Sequence, residues 1–311
     1  MSSVDQDGLV VVVGAAGRHG GTGGQVAKRA LAAGRQVRAL VRSDDERAQR
    51  LRRQGVETVV GDLLDLRTLY PALEGADAVY VAYPAAPGLP AALLNVASVL
   101  KDMRATSRVI VMSMGAADRN SPSGIARAHA EAEELLIELG TNVTVVRSSA
   151  FFYENILRLH AGSINLMNVL LNNFGDSRPA WIAGRDIGDY CASVLLDPDR
   201  YATDPIIYPP GHELLAHSEI ADIISEEVGR PISYRYISTA EWAGQMNGLV
   251  PEATVEHLTK MGEMCENGTT LLRTDVNPAA LQAASGGRAP QTFRDFVHQH
   301  SAEFGAITAT A

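Results

Sequence analysis

Three glycines near the start of the chain have the spacing of a turn that holds a dinucleotide pyrophosphate. They follow an apolar, β-branched run at residues 9–13 and precede a helical pattern. In such a strand–turn–helix, backbone N–H groups must come close to an anion, and basic side chains in the turn can reach its phosphates. The glycines are Gly14, Gly17 and Gly20, and the basic residues are Arg18 and His19. Because a glycine-rich turn can also be an ordinary loop, the flanking elements must support this interpretation.

The residue that closes the second β-type run indicates which dinucleotide fits. An acidic side chain about 20 residues after the glycines binds the ribose 2′-hydroxyl of NAD, whereas an arginine accommodates the 2′-phosphate of NADP. Arg42 stands at this position, which favours NADP(H) over NAD(H). Two alternatives stay open: Arg42 is a solvated side chain at a strand end, or Asp44 and Asp45 serve an NAD ribose.

The carboxyl ends of parallel strands meet at one edge of a sheet, so residues at these ends should border the same ligand. The third, fourth and fifth predicted strands end near residues 61, 83 and 113. From them we predict cofactor contacts at Asp62, Leu63, Ala82, Tyr83 and Ser113. Asp62 could instead cap the helix that follows it, and Ser113 could cap a turn.

Strands alternate with helical patterns through the first half of the chain, which predicts an α/β fold with a doubly wound, mostly parallel sheet of at least six strands. We assign residues 1–150 to a Rossmann-like NADP-binding domain and 151–311 to a smaller α+β substrate-binding region. Part of residues 178–210 is expected to return to the sheet. The segment after the sixth strand is predicted as a turn.

Composition excludes several other classes of protein. With 311 residues, 46% of them hydrophobic, the chain can bury a large core, and its net charge of −9 argues against nucleic acid or an anionic membrane as a partner. Two cysteines without metal-ligand spacing predict no metal site and a reducing cytoplasm. The polar start is unlike a signal peptide, and no apolar run is long enough to span a bilayer. The sequence does not indicate an oligomeric state.

With these residues in view, the chain resembles the NmrA-like, atypical branch of the short-chain dehydrogenase/reductase superfamily. The matching segments occur in the right order and cover most of the chain. They are GAAGRHG, VRALVR, GDLLD, DAVYVAYP, HAEAEELL, TVVRSSAFFYEN and RDIGDYCASVLLDP. The pattern AHAEAEELLIELGTNVTVVR is most similar to quinone-reductase-type members, in which a histidine heads this helix.

The chain departs from the superfamily pattern in two ways. About three extra residues precede the first helix, so either Gly20 or Gly23 could take the third glycine position. The YxxxK pair of ordinary short-chain dehydrogenases is absent, because no tyrosine has a lysine four residues after it. Without a lysine to lower the tyrosine pKa, routine alcohol dehydrogenation is not expected.

The resemblance implies where an acceptor would bind. It places His129 near the substrate as a proton donor, with Glu133 one helical turn on able to raise its pKa. The alternative is a surface histidine beside a solvated glutamate. It also implies substrate contacts from Tyr83, Tyr153 and Asn155, although an aromatic cluster after the sixth strand could be plain core.

Two classes of function fit these residues. In the first, the protein passes hydride to an electron-poor acceptor such as a quinone or conjugated carbonyl, a step that needs little acid assistance. In the second, it binds NADP(H) without turnover and acts as a redox sensor for a protein partner. A tailoring reductase or isomerase of secondary metabolism differs from the first in substrate alone.

Overall fold

The structure is a computed structural model that describes residues 8–17, 21–201, 204–268 and 273–305. Its strands are β1 Leu9–Val13, β2 Gln36–Val41, β3 Glu57–Val60, β4 Ala76–Ala82, β5 Arg108–Met114, β6 Val143–Ser148, β7 Phe151–Phe152, β8 Val169–Asn172, β9 Ala180–Ile182, β10 Ile206–Ile207, β11 Glu213–Leu214 and β12 Ser233–Tyr236. Its α-helices are α1 Thr22–Ala32, α2 Glu46–Arg53, α3 Leu69–Leu73, α4 Leu89–Asp102, α5 Gly124–Glu138, α6 Tyr153–Met167, α7 Gly184–Leu196, α8 His217–Val228, α9 Thr239–Met246, α10 Glu252–Glu266, α11 Pro278–Ala284 and α12 Phe293–Gln299.

Seven parallel strands form the central sheet, in the order β3-β2-β1-β4-β5-β6-β10. The predicted doubly wound parallel sheet is therefore confirmed. The strand order reverses between β1 and β4, the place where open α/β sheets bind their ligands. The second half of the chain supplies the seventh strand, because Ile206 and Ile207 pair with β6.

Helices cover both faces of the sheet, which explains why its strands are apolar on both sides. Alternate residues of β1 belong to different cores: Val10 and Val12 pack with α1, α2 and α7, whereas Val11 and Val13 pack with α3, α4 and α5. None of these four valines exposes more than 6% of its surface. The sheet is thus a rigid platform for the loops at its carboxyl edge.

The C-terminal region has its own core beside the sheet. Helix α8 packs on α12, and β12 pairs with β8 in a separate two-stranded sheet. Tyr153, Ile220, Phe293 and Phe296 are among the buried residues of this core. The segment after β6 is not only a turn as predicted, because α6 occupies residues 153–167.

A buried ion-pair network joins the two regions. Asp189 of α7 is 1% exposed and accepts hydrogen bonds from Gln25 and Arg29 of α1, at 2.7 and 3.0 Å. Arg288, which follows α11, pairs with both Asp186 and Asp189. Each buried carboxylate therefore has the charged partners that its burial requires.

Candidate functional site

The first glycines of the predicted motif form a tight turn at the carboxyl end of β1. Gly14 has a φ of +92°, which favours glycine, and its carbonyl accepts a 2.9 Å hydrogen bond from the Gly17 backbone N–H. A Cβ on Gly14 would lie 3.0 Å from the carbonyl oxygen of Ala82 at the end of β4. The turn therefore sits where β1 and β4 separate. Gly20, Arg18 and His19 lie outside the described residues.

Gly23 occupies a close-packing position in the first turn of α1. A Cβ there would lie 2.6 Å from the carbonyl carbon of Gly14 and 2.8 Å from the backbone nitrogen of Ala15. This distance fits the third motif glycine, whose role is close helix–strand packing. Helix α1 begins after Gly21 without a side-chain cap, so the N–H groups of its first turn face the turn region. In the described residues, the start of α1 and the glycine turn therefore pack backbone against backbone.

The acidic alternatives to Arg42 already have partners. Asp45 is the N-cap of α2, where its side chain accepts from the backbone N–H groups of Arg47 and Ala48. It also pairs with the guanidinium of Arg47 at 2.6 Å, and this hydrogen bond holds the pKa of Asp45 well below its usual range. Asp44 pairs with Arg52 at 2.5 Å. Both carboxylates are thus paired with arginines of α2, whereas Arg42 is exposed and has no resolved ion pair in the described part of the chain.

Tyr83 lies within electrostatic reach of both Arg42 and Asp62 at the edge formed by β2, β3 and β4. Burial raises the pKa of the Tyr83 hydroxyl, Asp62 raises it further, and Arg42 lowers it. Asp62 does not cap a helix, because its Oδ1 accepts from the Leu64 backbone N–H at 2.9 Å within the turn. Leu63 is buried and its carbonyl accepts from the Asn95 amide at 2.8 Å.

A groove of about 980 Å³ runs from the glycine turn between α1 and α2. The glycine turn contributes Gly17 to its lining, and cationic side chains come from both helices. These cations are Lys28, Arg47 and Arg50. The lining also contains the carboxylates of Asp45 and Glu46, so its charge is mixed.

Ser113, at the end of β5, connects two residues of α5. Its Oγ lies 2.9 Å from Nδ1 of His129 and donates to Oε1 of Glu133. The other carboxylate oxygen of Glu133 accepts from Nε of Arg147 at 2.7 Å. Arg147 comes from β6 at the register position opposite Ser113. These four side chains form one chain of hydrogen bonds across α5, β5 and β6.

The electrostatics of His129 differ from the prediction. His129 is 4% exposed, and burial, assisted by His257 and Arg147, lowers its pKa to about 3. The expectation that Glu133 raises this pKa is therefore wrong, because Arg147 and Ser113 satisfy the Glu133 carboxylate. Burial raises the pKa of Glu133 itself. His129 is thus a neutral imidazole at neutral pH, not a surface histidine.

Helix α10 closes over the start of α5. The Ser123 hydroxyl, which caps α5, lies 2.8 Å from Nδ1 of His257, and the Gly124 N–H donates to the Glu256 carboxylate at 3.3 Å. Thr254 donates to the carbonyl of Ala85, in the loop after β4, at 2.9 Å. Sequence reasoning missed these contacts because they join positions more than 130 residues apart.

Tyr153 is not placed to contact a substrate. It is fully buried in the C-terminal core, its ring centroid is 5.3 Å from that of Phe293, and its hydroxyl donates to Glu213 at 2.5 Å. The predicted contact is therefore corrected: the side chain is structural. Asn155 lies on α6 with intermediate burial, and its role stays a prediction.

Comparisons with known proteins agree with this architecture. A model of the NmrA-like family matches residues 6–295. An NAD(P)H azoreductase of Xenophilus azovorans is 30% identical over 304 residues, which cover 96% of this chain and 100% of the relative. The NADPH complex of the Escherichia coli quinone oxidoreductase QOR2 superposes with a TM-score of 0.77 at 20% identity, covering 94% of this chain and 99% of that one.

A regulator has a similar fold. The negative transcriptional regulator NmrA in complex with NAD gives a TM-score of 0.74 at 17% identity, covering 94% of this chain and 95% of the regulator. Among the helices in the described part of the present chain, none is long and apolar enough to cross a membrane.

Proposed function

The chain belongs to the NmrA-like family, and we propose that it is an NADPH-dependent reductase that delivers hydride to a quinone-like or conjugated carbonyl acceptor. The observation that carries the proposal is the glycine cradle of Gly14, Gly17 and Gly23, which a single Cβ would obstruct, beside an exposed Arg42. In this proposal the turn and the α1 N-terminus hold the pyrophosphate, and Arg42 holds the 2′-phosphate. When bound, NADPH supplies the hydride.

The class of acceptor follows from the chemistry of the chain's own residues. The chain has no YxxxK pair, and its buried histidine is neutral, so the site lacks a strong acid. An acceptor that already stabilises negative charge needs little proton assistance. The azoreductase relative and the quinone oxidoreductase neighbour bear the names of conjugated, electron-poor acceptors, which supports the same class.

In this proposal the two parts of the chain bind different ligands. Residues 1–150 bind the cofactor and 151–311 form the acceptor wall, with Tyr83 and Asn155 as candidate acceptor contacts and Ser113 near the reacting end. The substrate is a small molecule, and the proposed location is the cytoplasm. Cys191 and Cys265 are buried free thiols, which suits a reducing compartment.

A panel of acceptors tests the function directly. Purified protein is mixed with NADPH and a series of quinones, enones and azo compounds, and cofactor oxidation is followed by absorbance. We expect turnover with at least one of these classes. If NADPH binds tightly but no acceptor in the panel is reduced, and a partner protein distinguishes the NADP⁺ form from the NADPH form, the chain is a redox sensor and the reductase proposal is rejected.

Arg42→Ala tests the choice of cofactor. A charge-assisted contact with the 2′-phosphate is worth roughly 1.5–3 kcal/mol, so NADPH binding should weaken by about one to two orders of magnitude. NADH binding should be nearly unchanged, as measured by titration calorimetry. Arg53→Ala, which removes an exposed cation from the end of α2, is the control and should affect neither cofactor. Equal losses for both cofactors in Arg42→Ala would show that Arg42 is not the selector.

His129→Gln tests the modest role given to the histidine. Because the acceptor is already electrophilic, turnover should fall by less than the roughly 10²- to 10⁴-fold typical of losing an essential general acid. NADPH affinity should stay unchanged, and both are measured by steady-state kinetics and binding titration. A larger fall in turnover with intact binding would make His129 the main proton source and remove the argument for an electron-poor acceptor.

A further inference from the structure

Ser113 cannot donate to both of its neighbours. Its Oγ contacts Nδ1 of His129 and Oε1 of Glu133, but a hydroxyl carries a single proton. Each of these two hydrogen bonds needs one proton, and so does the bond between Arg147 and Glu133. The protonation states of the three residues that Ser113 connects are therefore linked.

With Glu133 ionised, only one arrangement satisfies every contact. The carboxylate accepts from Arg147 on Oε2 and from Ser113 on Oε1, which uses the serine proton. The 2.9 Å contact between Ser113 and His129 is then a hydrogen bond only if Nδ1 carries the imidazole proton. A neutral imidazole has one N–H, so Nε2 carries no proton and can only accept one.

With Glu133 protonated, the two hydrogen bonds of Ser113 reverse while the bond from Arg147 to Glu133 stays. Arg147 still occupies Oε2, so the carboxyl proton lies on Oε1 and is donated to the Ser113 oxygen. Ser113 then donates to Nδ1 of His129, and the imidazole proton moves to Nε2. In this state Nε2 is a proton donor.

We propose that Glu133, acting through Ser113, sets whether Nε2 of His129 donates or accepts a proton. Glu133 and Ser113 are positioning residues in this scheme, which rests on the proposed reductase function. During reduction, Nε2–H passes its proton to the anion formed on the acceptor, the Ser113 proton moves to Nδ1, and the Glu133 proton moves to Ser113. The N–H and O–H bonds broken equal those formed, and Glu133 is left as a carboxylate paired with Arg147.

The relay is this movement of protons from Glu133 through Ser113 and His129 to the acceptor. It explains how a buried histidine can give up a proton without first becoming a cation. His129 faces Arg147 from β6 and His257 from α10, both of which oppose a positive charge on its ring. In the relay the imidazole stays neutral before and after the transfer. The charge change occurs at Glu133, whose carboxylate is stabilised by an arginine.

Several groups adjust the proton affinity of Glu133. Burial raises its pKa and Glu134 on the same helix raises it further, whereas Arg147 and Ser113 lower it. Arg147 also donates to the Tyr208 hydroxyl at 2.8 Å, and the guanidinium of Arg273 lies 3.9 Å from the centre of the Tyr208 ring. The pH at which the carboxyl changes its proton state is therefore set by the balance between burial and the bond to Arg147.

The tautomer of His129 is the direct readout. Full-length protein labelled with ¹⁵N-histidine is titrated from about pH 5 to about pH 9, and His129→Gln identifies the ring resonances of this residue. We expect a neutral ring that carries its proton on Nδ1 at high pH in the wild type. In Glu133→Gln, the amide oxygen should face Arg147 and the amide N–H₂ should face Ser113, which locks the proton on Nε2 at every pH.

Glu134→Gln is the matched control, because it makes the same change one residue along on a carboxylate paired with Arg119. At high pH it should keep the wild-type tautomer, because loss of the Glu134 charge can only lower the pKa of Glu133. If Glu133→Gln does not fold, Arg147→Met serves instead and should raise the pH of the tautomer change by about one unit or more, whereas Arg147→Lys should not.

The proposal is overturned if Glu133→Gln and the wild type at high pH share one tautomer, or if Arg147→Met leaves the midpoint unchanged. No turnover enters these measurements, so a failed acceptor panel and a failed relay are separate results. In an active enzyme, turnover of the wild type should also fall as Glu133 ionises, and that pH dependence should be lost in Glu133→Gln.

Discussion

Replacing Gly23 with alanine is expected to abolish detectable NADPH binding and to lower the free energy of unfolding by about 1–3 kcal/mol. The added Cβ would lie 2.6 Å from the carbonyl carbon and 2.7 Å from the carbonyl oxygen of Gly14, and 2.8 Å from the nitrogen of Ala15. All three are backbone atoms, so no side-chain rotation relieves the contact. The start of α1 must move away from the turn, which separates the N–H groups that would face the pyrophosphate.

Gly162→Ala provides a matched control, because it places alanine at another helical glycine. Gly162 lies inside α6, and apart from the helix's own nearby backbone no heavy atom lies within 4 Å of the Cβ position there. This variant should bind NADPH normally and be up to about 1 kcal/mol more stable, since alanine is the better helix former. Both variants are compared by NADPH titration and urea unfolding. If Gly23→Ala and Gly162→Ala had equal NADPH affinity, the proposal that the glycine cradle binds NADPH would be contradicted.

The central sheet could be predicted because its signals are local. Strands that are buried on both faces are continuous apolar runs, such as the five residues of β1, and each is followed by glycines or polar turn residues. The carboxyl edge follows from the alternation of strand and helix, so Asp62 and Tyr83 could be assigned to one edge from spacing alone.

Helix α6 was missed because its start lacks the usual signals. Its N-cap is Phe152, which offers no side-chain hydrogen bond, and residues 160–163 include histidine, glycine and serine, which have low helix propensity. Packing of Tyr153, Ile156 and Ile164 in the C-terminal core stabilises the helix instead. Tertiary contacts of this kind do not appear in a local pattern, and the family resemblance that implies a substrate contact at Tyr153 does not show them either.

The pairing of Glu133 could not be predicted from helix spacing. His129 and Glu133 are four residues apart, which correctly places them on one face of α5. Yet the carboxylate binds Arg147, because β6 lies next to β5 and sets Arg147 opposite Ser113. The partner of Glu133 therefore depends on the register between β5 and β6, which pairs residues more than 30 positions apart. Likewise, the sequence alone does not distinguish a ribose contact at Asp45 from the capping of α2 that the structure shows.

His160→Phe is expected to remove part of the acid sensitivity of the fold. His160 is 3% exposed, its ring is stacked on Trp242 with centroids 5.2 Å apart, and burial lowers its pKa to about 3. In the unfolded chain a histidine titrates near 6.5. Between these two values the unfolded state binds a proton that the folded state does not, so the contribution of His160 to stability is present above about pH 6.5 and is lost as the pH falls toward 3.

Phenylalanine has a similar ring and does not titrate. The stability of the wild type relative to His160→Phe should therefore decrease by about 1.4 kcal/mol per pH unit below about pH 6.5, or about 3 kcal/mol by pH 4. Glu154, whose pKa burial raises to about 7, acts in the opposite direction, but it is present in both proteins and cancels in the comparison. Urea unfolding at a series of pH values measures the difference. A curve for His160→Phe that runs parallel to the wild-type curve would show that His160 is protonated in the folded protein as readily as in the unfolded chain.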